Sequence, residues 1–232
     1  DQTVVIFGNF SPRGIETAGA GGVFSLNVLD ATGTGVSGAT LQLVNAAAGV
    51  FIIGITDATG NLTFPGAPAG AEAYTMTVSK AGYYGATTFP SYPTTAYNPV
   101  DVHASVVAGV LNQKTIIMDQ SSDITLTTED FFGTAVSDVN FTLEGGRILG
   151  TDPVSGDFEY GFSDTAATDS SGTAEYLDQS YGQYLFTLTD PDYELYSLVP
   201  ESATRGEFTA SAGVATNVSA VVLPKNIGSV KV

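Results

Sequence analysis

Apolar and polar residues alternate along most of the chain, in short runs separated by turns that contain aspartate and glycine. Phe24, Leu26 and Val28 fall on one face of such a run, and Leu41 and Leu43 fall on one face of the next. A two-residue period is typical of a half-buried β-strand. The sequence therefore predicts an all-β fold made of many short strands.

Three of the separators share an Asp-x-x-Gly pattern, at residues 30–33, 57–60 and 169–172. In such a turn the aspartate side chain accepts hydrogen bonds from its own backbone, and glycine takes the position that needs a positive φ. These segments predict tight turns between neighbouring strands.

The alternating runs occur twice in the same order, at an offset of roughly 100 residues that drifts as loops insert residues. The matching blocks are 24–30 with 124–130, 36–43 with 136–143, 56–64 with 168–176, 73–78 with 183–188, and 115–118 with 220–223. Short strands with regular turns, repeated in this way, predict two tandem immunoglobulin-like or prealbumin-like β-sandwiches. The predicted segments are an N-terminal strand and Gly-rich tether (1–22), a first sandwich (23–119) and an acidic second sandwich (120–232).

The first copy resembles carboxypeptidase regulatory-like domains, which are prealbumin-like sandwiches close to the CnaB-type repeats of bacterial surface proteins. The residues that carry the resemblance are Val28-Leu-Asp30, Val36-Ser-Gly-Ala39, Thr56-Asp-Ala-Thr-Gly60, Phe64 and Tyr74–Tyr83. It covers residues 23–118 and weakens in the second copy, where Asp138-Val139 replaces Gly38-Ala39 and Asp192 replaces Gly82. The resemblance implies a stalk, pilin or accessory module and specifies no activity.

Some CnaB-like pilin domains also form an intramolecular bond between Lys and Asn, with the lysine on an early strand. The early strands of this chain, at 23–30 and 122–130, contain no lysine. The sequence departs from the family at this point, so we expect no such crosslink.

A dense β-forming segment, Thr3–Phe10, precedes the first copy and is joined to it by the turn-rich residues 11–22. Twelve extended residues span at most about 40 Å. The segment can therefore pair with its own domain or complete the sheet of a neighbouring copy, as in donor-strand complementation. The residues assigned to this subunit contact are Val4, Val5, Ile6, Phe7 and Phe10.

Charge is scarce and unevenly distributed, with a net charge of −17 and only 13% charged residues. Residues 1–119 contain 7 acidic and 3 basic side chains, whereas residues 120–232 contain 17 and 4. Such a surface repels phosphate backbones, so we expect no nucleic-acid partner. No apolar run approaches the ~18 residues of a membrane span. The beginning at Asp1-Gln-Thr fits a processed secreted protein, and residues 224–232 show no sorting or lipid-anchor motif.

The sequence contains few of the residues that enzymes use for catalysis. The chain has no cysteine and one histidine, His103, which alternates with valines on the solvent side of a predicted strand. No Gly-x-Ser-x-Gly elbow accompanies it, and zinc sites need several His or Cys ligands. The sequence therefore predicts a protein that is not an enzyme and needs no cofactor.

Acidic residues offer one alternative to a plain solvated surface. Asp190, Asp192 and Glu194 alternate, and a strand there would project all three to one side, where calcium could bind. Other carboxylates gather in a predicted loop at residues 152–164. The calcium site and the solvated acidic face both stay open.

Modification and ligand binding are the remaining candidates. Sequons for N-glycosylation occur at Asn9, Asn61, Asn140 and Asn217, of which Asn61, beside its turn, is expected to be the most accessible. Aromatic residues cluster in the Pro-containing loop Tyr83–Tyr97, where they can stack on surface glycans or cover the end of the sandwich.

Two hypotheses follow. The first is a structural subunit of an extracellular filament or pilus-like surface assembly, which polymerises with identical subunits through its N-terminal strand. The alternative is a monomeric carbohydrate- or protein-binding stalk module of an adhesin or secreted enzyme. They differ in whether the N-terminal strand pairs within one chain or between chains.

Overall fold

The computed structural model describes residues 21–225 and the backbone of residues 4–6. Within these ranges the regular secondary structure is entirely β, which confirms the predicted fold class. No helix long and apolar enough to cross a lipid bilayer occurs in the described part of the chain. The chain divides into two compact units: unit 1 extends to Asp119 and includes Leu149–Glu159, and unit 2 consists of Gln120–Ile148 and the residues from Tyr160 onward.

Unit 1 is a β-sandwich of a six-stranded and a three-stranded sheet. The larger sheet has the order β1-β4-β3-β6-β7, with β9 also pairing with β6, and the smaller has the order β10-β2-β5. The strands are β1 (Val4–Ile6), β2 (Gly22–Leu29), β3 (Thr40–Asn45), β4 (Val50–Ile55), β5 (Asn61–Ala67), β6 (Gly70–Ser79), β7 (Ala86–Thr87), β8 (Asn98–Pro99), β9 (Ala104–Val106) and β10 (Leu111–Ile117).

Unit 2 repeats this arrangement, with sheets of order β14-β11-β18-β16 and β13-β12-β15-β17. Its strands are β11 (Ser122–Glu129), β12 (Asn140–Thr151), β13 (Phe158–Ala167), β14 (Thr173–Gln179), β15 (Gly182–Leu188), β16 (Tyr193–Val199), β17 (Glu207–Ala210) and β18 (Thr216–Pro224). Both units are thus sandwiches of two sheets, as the repeated blocks predict.

Residues 152–164, which the sequence predicts as a loop of the second domain, contain the turn between β12 and β13 and the first part of β13. Leu149–Glu159 belongs to unit 1, because the end of β12 pairs with β8 through Gly150 and Pro99. The segment is the tip of the β12–β13 hairpin rather than a loop, and the Asp152 carboxylate holds its turn by accepting the N–H groups of Val154 and Ser155.

In unit 1 β2 pairs in parallel with β10, and in unit 2 β11 pairs in parallel with β18; these pairs correct one part of the repeat alignment. Ile116 pairs with Val28 in unit 1, and Ala220 pairs with Thr128 in unit 2. Because Val28 and Thr128 are equivalent, Ile116 is equivalent to Ala220. The sequence alignment, which matches Thr115 with Ala220, is therefore wrong by one residue; a single step in a strand moves every side chain to the other face.

The two cores contain the alternating residues that the sequence predicts to face inward. Phe24, Leu26, Val28, Leu41 and Leu43 are at most 1% exposed. In unit 2 the corresponding strands bury Ile124, Leu126, Phe141, Leu143 and Phe186. Burial of each such side chain stabilises the fold by roughly 1.5–3 kcal/mol.

A buried tyrosine occupies the same place in both cores. Tyr74 and Tyr184 are fully buried, and each hydroxyl donates to a carbonyl a few residues earlier in the chain. The acceptors are Pro68 O at 2.6 Å and Ser180 O at 2.8 Å. A buried phenol needs such a partner, since an unpaired hydroxyl is costly in an apolar core.

The Asp-x-x-Gly segments form the predicted turns. The Asp30 carboxylate accepts the backbone N–H groups of Thr32 at 2.9 Å and Thr34 at 2.8 Å. Gly33 then adopts a φ of +85°, a conformation that favours glycine. The equivalent turns at Asp57 and Asp169 are built in the same way.

Candidate assembly site

The N-terminal strand pairs with the edge of its own unit. β1 runs antiparallel to β4, with Val4 opposite Gly54, Val5 opposite Ile53 and Ile6 opposite Ile52. This pairing spans three residue pairs, whereas β4 pairs with β3 over six. β1 is therefore the outermost strand of the six-stranded sheet and is held by a short ladder.

The strand that receives β1 is almost entirely apolar. β4 has the sequence Val-Phe-Ile-Ile-Gly-Ile, and Val50 to Ile53 are half-buried. Gly54 is buried, and a Cβ added there would lie 2.6 Å from a methyl group of Leu62. Edge strands of soluble proteins are normally protected by charge or proline. β4 has neither, so covering its edge removes an exposed apolar template.

Among the predicted subunit-contact residues, Val4, Val5 and Ile6 form β1. Phe7 and Phe10 lie outside the described residues, as does the sequon at Asn9.

The loop Tyr83–Tyr97 engages most of its aromatic rings internally. Lys80 places its ammonium 4.2 Å from the Tyr83 ring centroid, and Phe89 and Tyr97 contact edge to face at 6.0 Å. Tyr92 is 49% exposed. The loop thus presents one large exposed ring, not a stacking platform of several.

His103 lies immediately before β9 and is half-buried between two threonines. Its Nδ1 is 2.9 Å from Thr88 Oγ1, and its Nε2 is 3.4 Å from Thr75 Oγ1. Thr88 Oγ1 also accepts the Met76 N–H, so this hydroxyl connects the His103 ring to β6. Burial lowers the pKa of His103, opposed in part by the charge of Glu72.

The three carboxylates predicted to share one strand face are arranged differently. β16 begins at Tyr193, so Asp190 and Asp192 precede the strand and only Glu194 lies in it. Asp190 is 5% exposed, and its carboxylate accepts hydrogen bonds from the Asn140 N–H, the Asn140 side chain and the Asp192 N–H. Residues 4–6 and 21–225 contain no group of three or more acidic or histidine side chains placed to hold a metal ion.

Ionisation of Asp190 is governed by these bonds. Burial favours the neutral acid, but the hydrogen bonds from Asn140 and Asp192 outweigh it and hold the pKa of Asp190 below its usual value. The geometry identifies Asp190 as a structural acceptor that ties the start of β12 to the turn before β16.

The sequence predicts Asn61 as the most accessible sequon, but the described residues show a different order. Asn61 is half-buried at the start of β5, and its side-chain amide donates to Thr59 Oγ1 at 2.8 Å. Asn217, near the start of β18, is exposed. Asn140 uses its side-chain amide to bind Asp190. Asn217, rather than Asn61, is the more accessible of the glycosylation candidates.

A shallow groove of about 380 Å³ lies on unit 2 between β15 and β16. Leucine and tyrosine side chains line it together with Arg205 and Lys225. Both basic groups are already engaged: Arg205 donates to the Leu195 carbonyl and Lys225 Nζ to the Asp190 carbonyl at 2.7 Å. These contacts join neighbouring segments of unit 2, so the groove gives no distinct sign of a ligand.

One exposed aromatic cluster is absent from the sequence expectations. Phe131 and Phe132 occupy the turn after β11 and are 61% and 89% exposed, and Tyr196 on β16 is 54% exposed. The Phe131 ring contacts Phe132 at 5.8 Å and Tyr196 at 5.7 Å, both edge to face. The sequence does contain a signal for this cluster: two phenylalanines lie inside an Asp-x-x-Gly turn, whereas the equivalent turn of the first copy has Ala31 and Thr32.

No known protein family matches this sequence, and no curated protein matches it either. Among solved structures, the Bacillus anthracis TIE protein is 14% identical, with 88% of this chain and 34% of that chain covered at a TM-score of 0.34. The minor pilin GBS52 of Streptococcus agalactiae is 15% identical, with coverages of 90% and 98% and a TM-score of 0.35. The shaft pilin SpaA of Lactobacillus rhamnosus GG is 12% identical, with coverages of 90% and 99% and a TM-score of 0.28.

This chain spans about a third of the length of the TIE protein. None of these similarities carries an inference about its function, and the fold described above rests on its own strand pairing.

Proposed function

We propose that this chain is a structural subunit of an extracellular, pilus-like surface filament, and that copies polymerise by exchanging the N-terminal strand. The observation that carries the proposal is the shortness of the β1–β4 ladder: within one chain, the arrangement that the monomeric alternative predicts, a three-residue strand closes an apolar sheet edge, and residues 7–21 separate it from β2. The main-chain hydrogen bonds of such a pair are the same whether the strand comes from the same chain or from another.

Exchange costs little in strand pairing. The strand loses a ladder of only three residue pairs when it leaves its own β4, and it regains the same ladder on a neighbour. Each copy supplies one strand and one acceptor edge, so exchange with two different neighbours produces an open polymer, whereas mutual exchange between two copies closes a dimer. The composition also suits a structural role, with 13% charged residues and no cysteine.

Electron microscopy of the purified protein tests the proposal. The intact chain is expected to form filaments, and a variant that lacks residues 1–10 is expected to remain monomeric. A full-length Val5→Pro variant keeps the chain length and interrupts strand pairing, and its matched control is Val5→Ala. We expect filaments from the alanine variant and none from the proline variant.

A synthetic peptide of residues 1–10 provides a direct measure of the acceptor edge. It should bind the variant that lacks these residues, and a peptide of the same composition in scrambled order should not. Filaments from the truncated variant would reject strand exchange. Monomers from every variant would reject the filament and favour the binding module, with glycan binding at the Tyr83–Tyr97 loop as the next measurement.

A further inference from the structure

The two units differ at the sheet edge that β1 joins in unit 1. The N–H of Thr56, directly after β4, is bonded to the carbonyl of Ala39, directly before β3. The N–H of Thr168, directly after β13, is bonded in the same way to the carbonyl of Val139, directly before β12. β4 and β13 are therefore equivalent strands. In the described part of the chain β13 is the last strand of its sheet and pairs with β12 alone, so its outer edge has no counterpart of β1.

Counting back from these threonines places an acidic residue where unit 1 has an apolar one. Ile52 of β4 corresponds to Asp164 of β13. Phe162 and Ala166, two residues before and two after Asp164, both pack against the core of unit 2. Since side chains alternate along a strand, Asp164 lies on this same inner face, as Ile52 does in unit 1. The edge strand of unit 2 therefore carries a carboxylate on its core-facing side.

An aromatic residue of the opposite sheet changes together with this position. Phe64 lies opposite Phe24 in unit 1. Tyr176 lies opposite Ile124, the residue of unit 2 that is equivalent to Phe24. The Tyr176 hydroxyl donates to the Asp164 carboxylate at 3.1 Å, a hydrogen bond that a phenylalanine cannot make. Unit 2 thus has an aspartate–tyrosine pair where unit 1 has an isoleucine and a phenylalanine.

The aspartate–tyrosine pair remains partly accessible to water. Asp164 and Tyr176 are both half-buried, whereas Phe64 is 3% exposed. Burial raises the pKa of Tyr176, and the negative charge of Asp164 raises it further, so the hydroxyl keeps its proton and remains a donor. Because this donor is neutral, the charge of Asp164 still depends on water for its solvation.

The outer face of β13 is also more polar than that of β4. Ser163 takes the place of Phe51, and Thr165 takes the place of Ile53. In unit 1, Ile53 lies opposite Val5 of β1. An added strand would therefore find less apolar surface to cover on β13 than on β4.

A donor strand in the register of β1 would meet the carboxylate directly. Ile6 lies opposite Ile52 on β4, and the same register on β13 would set Ile6 opposite Asp164. The added strand would displace water that solvates this charge, and burial of a carboxylate without a cation is costly. Charged side chains that point inward from an edge strand protect the sheets of soluble proteins in this way.

We infer that Asp164 and Tyr176 exclude the N-terminal strand from unit 2, which leaves β4, rather than β13, as the acceptor edge of each copy. The inference rests on the proposed strand exchange and identifies the residues that decide which edge receives the strand. Its consequence concerns the shape of the polymer. With one acceptor edge per copy, exchange with two different neighbours gives an unbranched filament, whereas a second acceptor edge would allow one copy to receive two strands and form a branch.

Peptide binding to the full-length chain with Val5→Pro tests the inference, because the proline disrupts β1 and leaves both edges open to an added strand. The peptide consists of residues 1–10, and hydrogen–deuterium exchange of β4 and β13 locates it. We expect the peptide to protect only β4 in this parent chain. Asp164→Ile with Tyr176→Phe copies Ile52 and Phe64 of unit 1, and should raise the affinity of the peptide for β13 at least about a hundredfold, so that both strands are protected.

A second variant keeps the shape of the pair and removes only its charge. Asp164→Asn retains an acceptor for the Tyr176 hydroxyl, and should raise the affinity of the peptide for β13 at least about tenfold. Asp157→Ile is the matched control, since Asp157 is an exposed acid in the turn before β13. Its loss changes the net charge equally and should leave β13 unprotected.

Protection of β13 in the Val5→Pro parent would overturn the inference, because Asp164 and Tyr176 would then fail to exclude the strand. Absence of protection from both Asp164 variants would overturn it as well. An equal gain from Asp157→Ile would assign the effect to net charge instead of to the pair.

The same measurements separate this inference from the proposed function. Protection of β13 in the Asp164 variants, without protection of β4 in any chain, would support the role of the pair and reject strand exchange at β4. Protection of β4 in every chain, without protection of β13 in the variants, would support strand exchange and reject the role of the pair. Absence of protection everywhere would reject both.

Discussion

The hydroxyl of Thr56 accepts the backbone N–H of Ala39 at 2.9 Å, inside the core of unit 1. The same hydroxyl donates to the Val36 carbonyl at 2.7 Å. One buried side chain thus joins the start of β3 to the end of β4. In unit 2, Thr168 binds the Val139 N–H and the Val136 carbonyl in the same way, at 3.2 and 3.4 Å.

We expect Thr56→Val to lower the free energy of unfolding of unit 1 by about 1–3 kcal/mol, because the Ala39 N–H and the Val36 carbonyl would remain buried without this partner. Urea unfolding measures the loss. The matched control is Thr77→Val on the exposed face of β6, which should change the free energy of unfolding by less than about 0.5 kcal/mol. Equal losses from both substitutions would contradict the assignment.

Alanine substitutions at two turn glycines distinguish two effects on the free energy of unfolding: a strained backbone conformation and a steric clash. Gly33 and Gly60 both have a positive φ, +85° and +80°. A Cβ at Gly33 meets nothing within 4 Å, whereas a Cβ at Gly60 would lie 2.3 Å from the Val28 carbonyl oxygen. Gly33→Ala should therefore cost about 1–2 kcal/mol of unfolding free energy, the price of the left-handed conformation.

Gly60→Ala adds a clash with a backbone atom that cannot move without disturbing β2. We expect a loss at least about 2 kcal/mol larger than for Gly33→Ala. Thermal unfolding of the two variants, followed by circular dichroism, gives the comparison. Similar losses would mean that the turn at Gly60 relaxes to accept the methyl group.

The sequence predicts the fold of this chain because local and global signals agree. The alternation at Phe24, Leu26 and Val28 specifies one buried face, and the same residues form the core. The sequence cannot specify which sheet edge a short strand joins, because β-pairing is made by backbone groups common to every residue. For this reason the pattern of Val4–Ile6 predicts a strand and leaves its partner open.

Site residues are harder to predict because exposure is a property of the tertiary structure. The alternation of Asp190, Asp192 and Glu194 has the period of a strand, but Asp190 and Asp192 form the turn before β16. Conversely, Phe131 and Phe132 have the composition of core residues and are exposed. Turn chemistry placed them there, since Asp130 and Gly133 fix a turn regardless of the residues between them.

Asp190 should stabilise unit 2 only while it is ionised. Its pKa in the folded state lies below the value of the unfolded chain, so the stabilisation is complete above about pH 4 and is lost as the pH falls through the folded-state pKa. Asp190→Asn should lower the free energy of unfolding at pH 7 by about 1.5–3 kcal/mol, through loss of the charged acceptor. The exposed Asp192→Asn is the control.

The difference between wild type and Asp190→Asn should shrink as the pH falls through the folded-state pKa of Asp190, which lies below its ordinary value, because the wild-type carboxyl then becomes protonated. Urea unfolding at a series of pH values measures it. A difference that is constant from pH 7 to pH 2 would show that ionisation of Asp190 has no part in its effect.

His103 predicts a second pH dependence of stability, in unit 1, which comes from a basic side chain instead of an acidic one. Burial lowers its pKa from the ordinary value of 6.5, so the unfolded chain binds a proton more readily than the folded unit. Stability therefore rises with pH wherever the unfolded state holds more protons. Unit 1 should be fully stable with respect to this group above about pH 7.5 and should lose stability as the pH falls from 7 toward the folded-state pKa.

The window between pH 7 and pH 5 isolates this effect, because most carboxyl groups remain ionised there. His103→Asn keeps a side chain that can hydrogen-bond to the Thr88 hydroxyl and removes the titration. We expect the variant to match the wild type at pH 7.5 and to lack the loss of stability at pH 5. Hydrogen–deuterium exchange of β6 and β9, which lie beside the ring, measures unit 1 separately from unit 2. The same loss on acidification in both proteins would assign the effect to another group.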